Sequence, residues 1–330
     1  MTGIALAHPN IALIKYWGKR EAGANVPATG SLSITLDSLN TRTRIVFDAA
    51  LDHDELLLDG KHDTAALARV SACLDILRTL ARDERRARVE TRNDFPTAAG
   101  LASSASGFAA LTLAASAALD LQLDRRTLSK IARRASGSAA RSLYGGFVVL
   151  RAGRDGDDDP AAQSLLDANE WPLSVVIVIT TRAPKATGSR AGMETSRRTS
   201  PFYQAWLDGA DQDLAIAQAA VLARDFAQLA EISEYNCLKM HAVMHGSRPP
   251  LIYWNGATLE CMRRVRDLRE CEGVQVFFTI DAGPQVKAVC LPEDASRVAT
   301  ALREIPGVES VLTSGIGEGA RLLHAEEELA

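Results

Sequence analysis

Residues 93–107 read NDFPTAAGLASSASG and run into an apolar-periodic segment, Phe108 to Leu119, that is expected to be a helix. A loop of Gly, Ala and Ser at a helix start leaves backbone N–H groups uncovered and lets an anion approach closely. Ser103, Ser104 and Ser106 add hydroxyls suited to phosphate oxygens or a magnesium ion. The stretch therefore reads as a phosphate cradle in a nucleotide-handling protein, with close helix packing and a Ser cap as the structural alternative. It lacks the Gly-Lys-Ser/Thr ending of a Walker A loop, and Gly100 and Gly107 are wrongly spaced for a Rossmann fingerprint. A third kind of phosphate loop is required.

The rest of the chain narrows the class. At 330 residues it exceeds one hydrophobic core, so two domains are expected. Apolar residues make up 47 % and charged residues 24 %, an ordinary globular balance. With 37 basic and 41 acidic side chains the net charge is −4, which argues against a general nucleic-acid surface. Cys73, Cys237, Cys261, Cys271 and Cys290 are scattered without a Cys-x-x-Cys pair, as expected of reduced thiols in a cytoplasmic protein without a zinc site. No signal peptide and no membrane span are expected from the N-terminus or from any apolar run.

Outward from the Ser-rich stretch, the first half mixes strands and helices. Ser31–Asp37 and Thr41–Asp48 alternate in strand fashion around a turn at Ser38–Asn40. Thr64–Arg82 and Thr127–Ala140 read as helices, Ala87–Thr91 and Phe147–Leu150 as strands, and Gly153–Pro160 as a solvated acidic turn. After a strand at Leu173–Thr180 comes a basic, Gly-rich stretch, Arg182–Arg198, expected to be a domain junction carrying a functional loop. A helical region at Asp211–Met244 and a helix at Ala257–Glu270 precede strands at Val274–Ile280 and Gln285–Leu291. A helix at Glu293–Ile305 and a strand at Val308–Thr313 complete an order that suggests a small α/β sandwich.

Four further segments carry chemistry. Asn10 and the run Lys15-Tyr16-Trp17-Gly18-Lys19 place compact positive charge beside a phenol, which suits a phosphorylated substrate or simply a strand end. Ser136-Gly137-Ser138-Ala139-Ala140-Arg141-Ser142 can clamp a diphosphate or a carboxylate, or close a helix. Thr187-Gly188-Ser189-Arg190-Ala191-Gly192-Met193 is a third anion-shaped segment, or a flexible basic loop. Asp281 ends the run FFTIDAGP, where a carboxylate can orient a hydroxyl, accept its proton or merely form a turn. His241 and His245 are spaced i,i+4, but the Glu of a zinc-protease motif is missing, and no Gly-x-Ser-x-Gly elbow is present.

Taken together these segments resemble the mevalonate diphosphate decarboxylases, a branch of the GHMP kinase superfamily. The matching stretches are HPNIALIKYWGKR (8–20), GSLSITL (30–36), NDFPTAAGLASSASG (93–107), SGSAARSLYGGFV (136–148), GSRAGMETS (188–196), TSP (199–201) and FTIDAGP (278–284), in family order. The resemblance implies an α+β GHMP-kinase two-domain fold, with an N-terminal mixed α/β domain at 1–184 and a C-terminal ferredoxin-like sandwich at 185–330. The active site would lie in the cleft between them.

It further implies ATP and Mg2+ as cofactors and a tertiary 3-hydroxy acid with a distal diphosphate as substrate. The hydroxyl is phosphorylated, then phosphate and carbon dioxide depart. A carboxylate without a β-carbonyl has no electron sink, so making the hydroxyl a leaving group supplies the driving force. Carried over, Asp281 is the base or orienter, Arg141 holds the substrate carboxylate, Asn10 positions that guanidinium and Lys15 joins the catalytic group. Tyr16, Trp17, Lys19, Ser136, Gly137, Ser138 and Arg190 bind substrate. Asn93, Ala99, Gly100, Leu101, Ser103, Ser104, Ser106, Lys185 and Ser189 bind ATP, with Ser104 on the metal. A homodimer is implied, with neither nucleic acid nor membrane as partner.

Two positions depart from the pattern. Pro27-Ala28-Thr29-Gly30-Ser31 lacks the usual Asn, and Gln285 follows the DAGP turn where Asn is usual. Relatives act on mevalonate monophosphate or phosphorylate without decarboxylating. Asp281, Lys15, Lys19 and Arg141 favour a decarboxylase acting on the diphosphate.

Overall fold

The structure, a computed structural model, describes residues 2–21, 25–95, 103–153 and 159–324. The first sheet has six strands in the order Arg321–Leu322, Thr2–Ala7, Thr41–Asp48, Arg86–Asn93, Glu55–Leu58, Lys61–His62. Thr41–Asp48 alternates between buried and half-buried positions, the two-residue period of a strand with one covered face. That face, with Ile45, Phe47 and Val89, packs on helices Thr64–Ala81, Ser103–Ala118 and Arg125–Ala135 through Leu74, Leu77, Leu111 and Ile131.

The second sheet runs Ala162–Leu166, Phe147–Leu150, Ser31–Thr35, Asn10–Ile14. Ser31–Thr35 is buried throughout. Leu32 and Ile34 enter the apolar core, while Ser31 and Ser33 alternate to the opposite face and hydrogen-bond Arg141. Thus Ser31–Thr35 and Thr41–Asp48 do not pair across the Ser38–Asn40 turn. Their apolar residues belong to two separate cores, and the chain changes sheets between them.

The third sheet is antiparallel, in the order Val276–Ile280, Val286–Cys290, Ser174–Ile179, Ser310–Ser314. Val176, Val178 and Phe278 on one face meet helices Gly256–Glu270 and Ala295–Arg303. Val175, Ile177, Phe277 and Val289 on the other join the core that helices Ala210–Ala223 and Phe226–His245 share with the second sheet. This is the α/β sandwich expected from the element order. Its inner strand Ser174–Ile179 precedes residue 185, and Arg321–Leu322 returns to the first sheet.

Three elements differ from their sequence expectation, and each difference shapes the site. The Thr127–Ala140 helix is two helices, because Ser136 turns extended after Arg125–Ala135 and the chain restarts at Ala139–Ser142. The 182–198 stretch is not all loop: Ser189–Thr199 is helical, entered through Gly188. Asp211–Met244 is broken because Arg224 takes φ 55° and the Asp225 carboxylate caps the Gln228 N–H. Among the described residues no helix is long and apolar enough to cross a membrane.

Candidate active site

Asp281 leaves the end of strand Val276–Ile280 and Lys15 leaves the end of strand Asn10–Ile14. Helix Phe226–His245 fixes both exits. Its Asn236 Oδ1 accepts the Lys15 N–H at 2.8 Å, and its Cys237 Sγ accepts the Ile280 N–H at 3.1 Å. The Lys15 ammonium then reaches Asp281 Oδ1 at 2.7 Å, with the Lys15 side chain 1 % exposed and Asp281 29 % open to the cleft. Lys287, which the sequence reading did not single out, reaches Oδ2 at 3.1 Å. Burial alone would raise the Asp281 carboxyl, but Lys15 and Lys287 overcome it and hold the group well below the usual carboxylate range.

Arg141 lies in the short helix Ala139–Ser142 and is buried. Its Nη1 donates to Ser31 Oγ at 2.6 Å, and its Nε to Ser33 Oγ at 3.0 Å and Asn10 Oδ1 at 3.3 Å. Asn10 in turn donates through Nδ2 to the Ser138 carbonyl and the Ser142 hydroxyl at 3.0 and 2.8 Å. Burial lowers the guanidinium to about 10, still fully charged at neutral pH. It has no carboxylate partner in hydrogen-bond contact among the described residues, so a buried cation faces the cleft bonded only to neutral groups. Such a charge calls for an anionic ligand.

The cleft between the Asp281 end of the third sheet and the N-terminal half encloses 440 Å³. Among the described residues, Lys15, Lys19, Arg69, Arg141, Lys185 and Arg190 line it against one carboxylate, Asp281, although the whole chain is acidic. Lys19 contacts Asn25 Oδ1, and burial together with Arg190 and Arg69 lowers its ammonium to about 8. Tyr16 stands beside it, its phenol raised by burial to about 12 and so a permanent donor at neutral pH. Gly137 makes room for that ring, since a Cβ there would lie 2.5 Å from Tyr16 Oη. Ser136 and Ser138 complete this end of the cleft, their hydroxyls 3.4 Å apart.

Helix Ser103–Ala118 opens into the same cleft with Ser103 and Ser104, and its first turn carries no acid. Ser104 Oγ lies 3.5 Å from Ser136 Oγ. The Ser189–Thr199 helix also begins there, and Lys185 Nζ donates to Ser189 Oγ at 2.9 Å and to the Ala282 carbonyl at 3.0 Å. Uncovered N–H groups, hydroxyls and a lysine fit the phosphates of ATP. A magnesium ion held chiefly by those phosphates and by water needs few protein ligands, and Ser104 offers one hydroxyl. The described residues contain no cluster of three or more metal-ligating groups.

Some expected site residues stand elsewhere. Ser106 is fully buried and bonded to Thr41 Oγ1 at 2.7 Å; two residues past Ser104, about 200° around the helix, it faces away from the side that Ser104 presents to the cleft. Asn93 ends strand Arg86–Asn93 and accepts from the same Thr41 hydroxyl at 2.7 Å. Trp17 touches the cleft from within an apolar cluster that includes Met193, Trp206 and Met244, and its carbonyl accepts the Trp206 N–H at 2.8 Å. Ala99, Gly100 and Leu101 lie outside the described residues. Gln285 is buried and structural: it accepts the Thr180 N–H at 2.7 Å and donates to the Thr181 carbonyl at 2.6 Å. His241 is buried against Trp254, with ring centroids 4.4 Å apart, and burial drives it down to about 3, so it stays neutral.

Residues 7–162 match the diphosphomevalonate decarboxylase-like N-terminal domain, and residues 175–323 match the mevalonate 5-diphosphate decarboxylase C-terminal domain. The chain belongs to the mevalonate diphosphate decarboxylase family. It is 37 % identical over 321 residues to the diphosphomevalonate decarboxylase of Aspergillus fumigatus, covering 90 % of this chain and 79 % of that protein.

A solved mevalonate diphosphate decarboxylase from Enterococcus faecalis, described by its mevalonate diphosphate mediated ATP binding, superposes with a TM-score of 0.90 at 39 % identity. The match covers 98 % of this chain and 99 % of that one. A complex with MVAPP, AMPPCP and magnesium gives a TM-score of 0.91 at 39 % identity, with the same coverage of 98 % and 99 %. The GHMP-kinase α+β fold expected from the motifs is therefore the fold of this family and of this chain.

Arg69, Asn25 and Lys287 are the polar site residues that sequence reasoning missed. Arg69 sits on helix Thr64–Ala81, which also carries Asp75 and the buried, Asp54-paired Arg78, so the sequence does not set it apart from its helix neighbours. Lys287 did carry a signal: a lone lysine inside the otherwise apolar strand Val286–Cys290, every position of which is buried.

Proposed function

We propose that this chain catalyses the ATP-dependent decarboxylation of mevalonate 5-diphosphate to isopentenyl diphosphate in this cleft. The observation that carries it is the pairing of unlike groups in one cavity. Arg141, a buried cation without a carboxylate partner among the described residues, and Asp281, an anion held by two lysines, line the same 440 Å³. A hydroxy acid with a distal diphosphate has one anion for Arg141, a hydroxyl for Asp281 and a second anion for Lys19, Tyr16, Arg190 and the Ser136–Ser138 turn.

ATP, with magnesium, supplies the phosphoryl group that turns the tertiary hydroxyl into a leaving group; Ser103, Ser104, Lys185 and Ser189 are the residues placed to hold its phosphates. Asp281 orients the hydroxyl, and its low proton affinity makes it a weak base, so the hydroxyl proton passes to a phosphoryl oxygen as the O–P bond forms and departs with the phosphate. The C3–O bond then breaks toward phosphate while the C1–C2 electrons become the new double bond and carbon dioxide leaves. Arg141 keeps the departing carboxylate fixed, and Lys15 and Lys185 meet charge that grows near the transferred group. A reducing cytoplasm is supported by the cysteines, all unpaired, and the homodimer by resemblance alone.

The test compares mevalonate diphosphate with the monophosphate under Mg-ATP. A kcat/KM at least about 10²-fold higher for the diphosphate is expected, since the second phosphate adds charge-assisted contacts of about 1.5–3 kcal/mol each. Equal turnover of the two, with isopentenyl phosphate as product, would place the chain among monophosphate decarboxylases instead.

A further inference from the structure

Lys287 takes no part in the chemistry described above, yet it touches the carboxylate on which that chemistry depends. It stands mid-strand in Val286–Cys290, opposite Thr279 across the hairpin, with its side chain only 2 % exposed. Its neighbours Val286, Ala288, Val289 and Cys290 are fully buried. An ammonium is costly in such a place and persists where it has ionic and hydrogen-bonding partners. Its partners include Asp281 Oδ2 at 3.1 Å and the Gln285 carbonyl at 3.3 Å. Lys15 arrives from a different sheet to hold the other carboxylate oxygen at 2.7 Å. The terminal torsion of a carboxylate is broad, so one anchor leaves it free to swing and two do not.

We propose that Lys287 is a positioning residue for the reaction: it pins Oδ2 of Asp281 while Lys15 pins Oδ1, so that the carboxylate meets the tertiary hydroxyl ionised and in one orientation. This rests on the reading that Asp281 meets that hydroxyl. The other ionisable groups that act on Asp281 are Lys185 from the segment before Ser189, Arg141 from helix Ala139–Ser142, and Cys237 and His241 from helix Phe226–His245. His241 is neutral and the Cys237 thiol is raised by burial, so among these groups only the cations bear charge at neutral pH. Lys15 and Lys287 are the ones in direct contact.

The experiment compares Lys287→Met and Lys287→Arg with the unsubstituted chain, alone and in an Asp281→Asn background. In the Met variant kcat is expected to fall about 10²-fold, within the span that one positioned proton-handling group contributes. KM for both substrates should stay within about threefold, and the acidic limb of the kcat profile should move up by about one pH unit or more. Lys287→Arg should keep the acidic limb in place. In the Asp281→Asn background Lys287→Met should cost nothing further, because its effect passes through that carboxylate.

Carboxyl-carbon NMR titration, assigned by difference against Asp281→Asn, gives a readout free of turnover; the Asp281 signal should titrate at higher pH without Lys287. If the Met variant does not fold, Lys287→Gln replaces it. An unmoved acidic limb and an unmoved Asp281 titration, or a full additional loss in the Asp281→Asn background, would overturn the proposal. A chain that releases no carbon dioxide before any substitution would strike the functional reading, while the carboxyl titration still decides the role of Lys287.

Discussion

Asn10 and Arg141 lie 131 residues apart in the chain, yet the Asn10 amide oxygen accepts from the Arg141 guanidinium at 3.3 Å. The amide's other end is spent on Ser138 and Ser142, so Asn10 cannot turn without giving up those bonds. Asn10→Ala is expected to release the guanidinium and lower kcat/KM roughly 10- to 150-fold, the equivalent of about 1.5–3 kcal/mol for a hydrogen bond to a charged group. Steady-state kinetics with a melting curve checks this. A variant with normal kcat/KM would show that Arg141 holds its place without Asn10.

Lys19 should make substrate binding depend on pH. Its folded value near 8 lies below the ordinary lysine value of 10.5, because burial and neighbouring cations disfavour the charge. Charging Lys19 therefore costs folding stability below about 8, and that cost lifts as pH rises toward 10.5. Binding runs the other way: a diphosphate needs the ammonium, which falls from about nine-tenths at pH 7 to about one-tenth at pH 9. KM for mevalonate diphosphate should rise over that interval, and Lys19→Met should have a high KM with a flatter profile. A wild-type KM constant from pH 7 to 9 would remove Lys19 from the diphosphate site.

How much of this was readable beforehand depends on where the information sits. Asp281, Lys15, Arg141 and Asn10 stood out in the sequence for different reasons: Asp281 closes a strand at a small-residue turn, Arg141 lies in a run of Ser, Gly and Ala, and Asn10 and Lys15 belong to one cluster of polar and aromatic residues. Ser106 was misplaced because hydroxyl spacing in a loop says nothing about rotation; once Ser103–Ala118 became helical, Ser106 turned inward to Thr41. The separation of Ser31–Thr35 from Thr41–Asp48 into different sheets was not legible either. Both alternate as strands must, and only the two cores decide which neighbour each takes. Lys287 belongs to no motif or cluster in the sequence; its one mark is a lone lysine among buried strand residues.

The two serines provide a direct contrast. Ser104→Ala should raise KM for ATP several-fold and leave folding intact, because Ser104 lines the cleft. Ser106→Ala should do the reverse: KM for ATP nearly unchanged, and stability reduced by about 0.5–1.5 kcal/mol through the lost bond to Thr41. Denaturant melts and ATP saturation curves on both variants decide it. A large ATP effect at Ser106 would restore it to the nucleotide site.

Gly137 should tolerate no side chain, for a local reason. A Cβ there would stand 2.5 Å from Tyr16 Oη and 2.7 Å from its Cζ, so the ring must move. Gly137→Ala is expected to raise KM for mevalonate diphosphate about tenfold or more, roughly 1.4 kcal/mol of binding, with kcat less affected. Pairing it with Tyr16→Phe tests the route: the two losses should overlap rather than add. Full additivity would mean that Gly137 acts independently of Tyr16.

The central claim, that phosphorylation and decarboxylation occur together in the Asp281–Arg141 cleft, is tested most directly by stoichiometry. Mevalonate diphosphate labelled at C1 is turned over with Mg-ATP, and ADP, phosphate and labelled carbon dioxide are counted in the same samples. One equivalent of each per substrate consumed is expected from the unsubstituted chain, and from Asp281→Asn all three should form in the same proportion at a rate lowered about 10²-fold or more. ADP formed against a stable phosphoester, with no carbon dioxide released, would contradict the claim and make the protein a kinase.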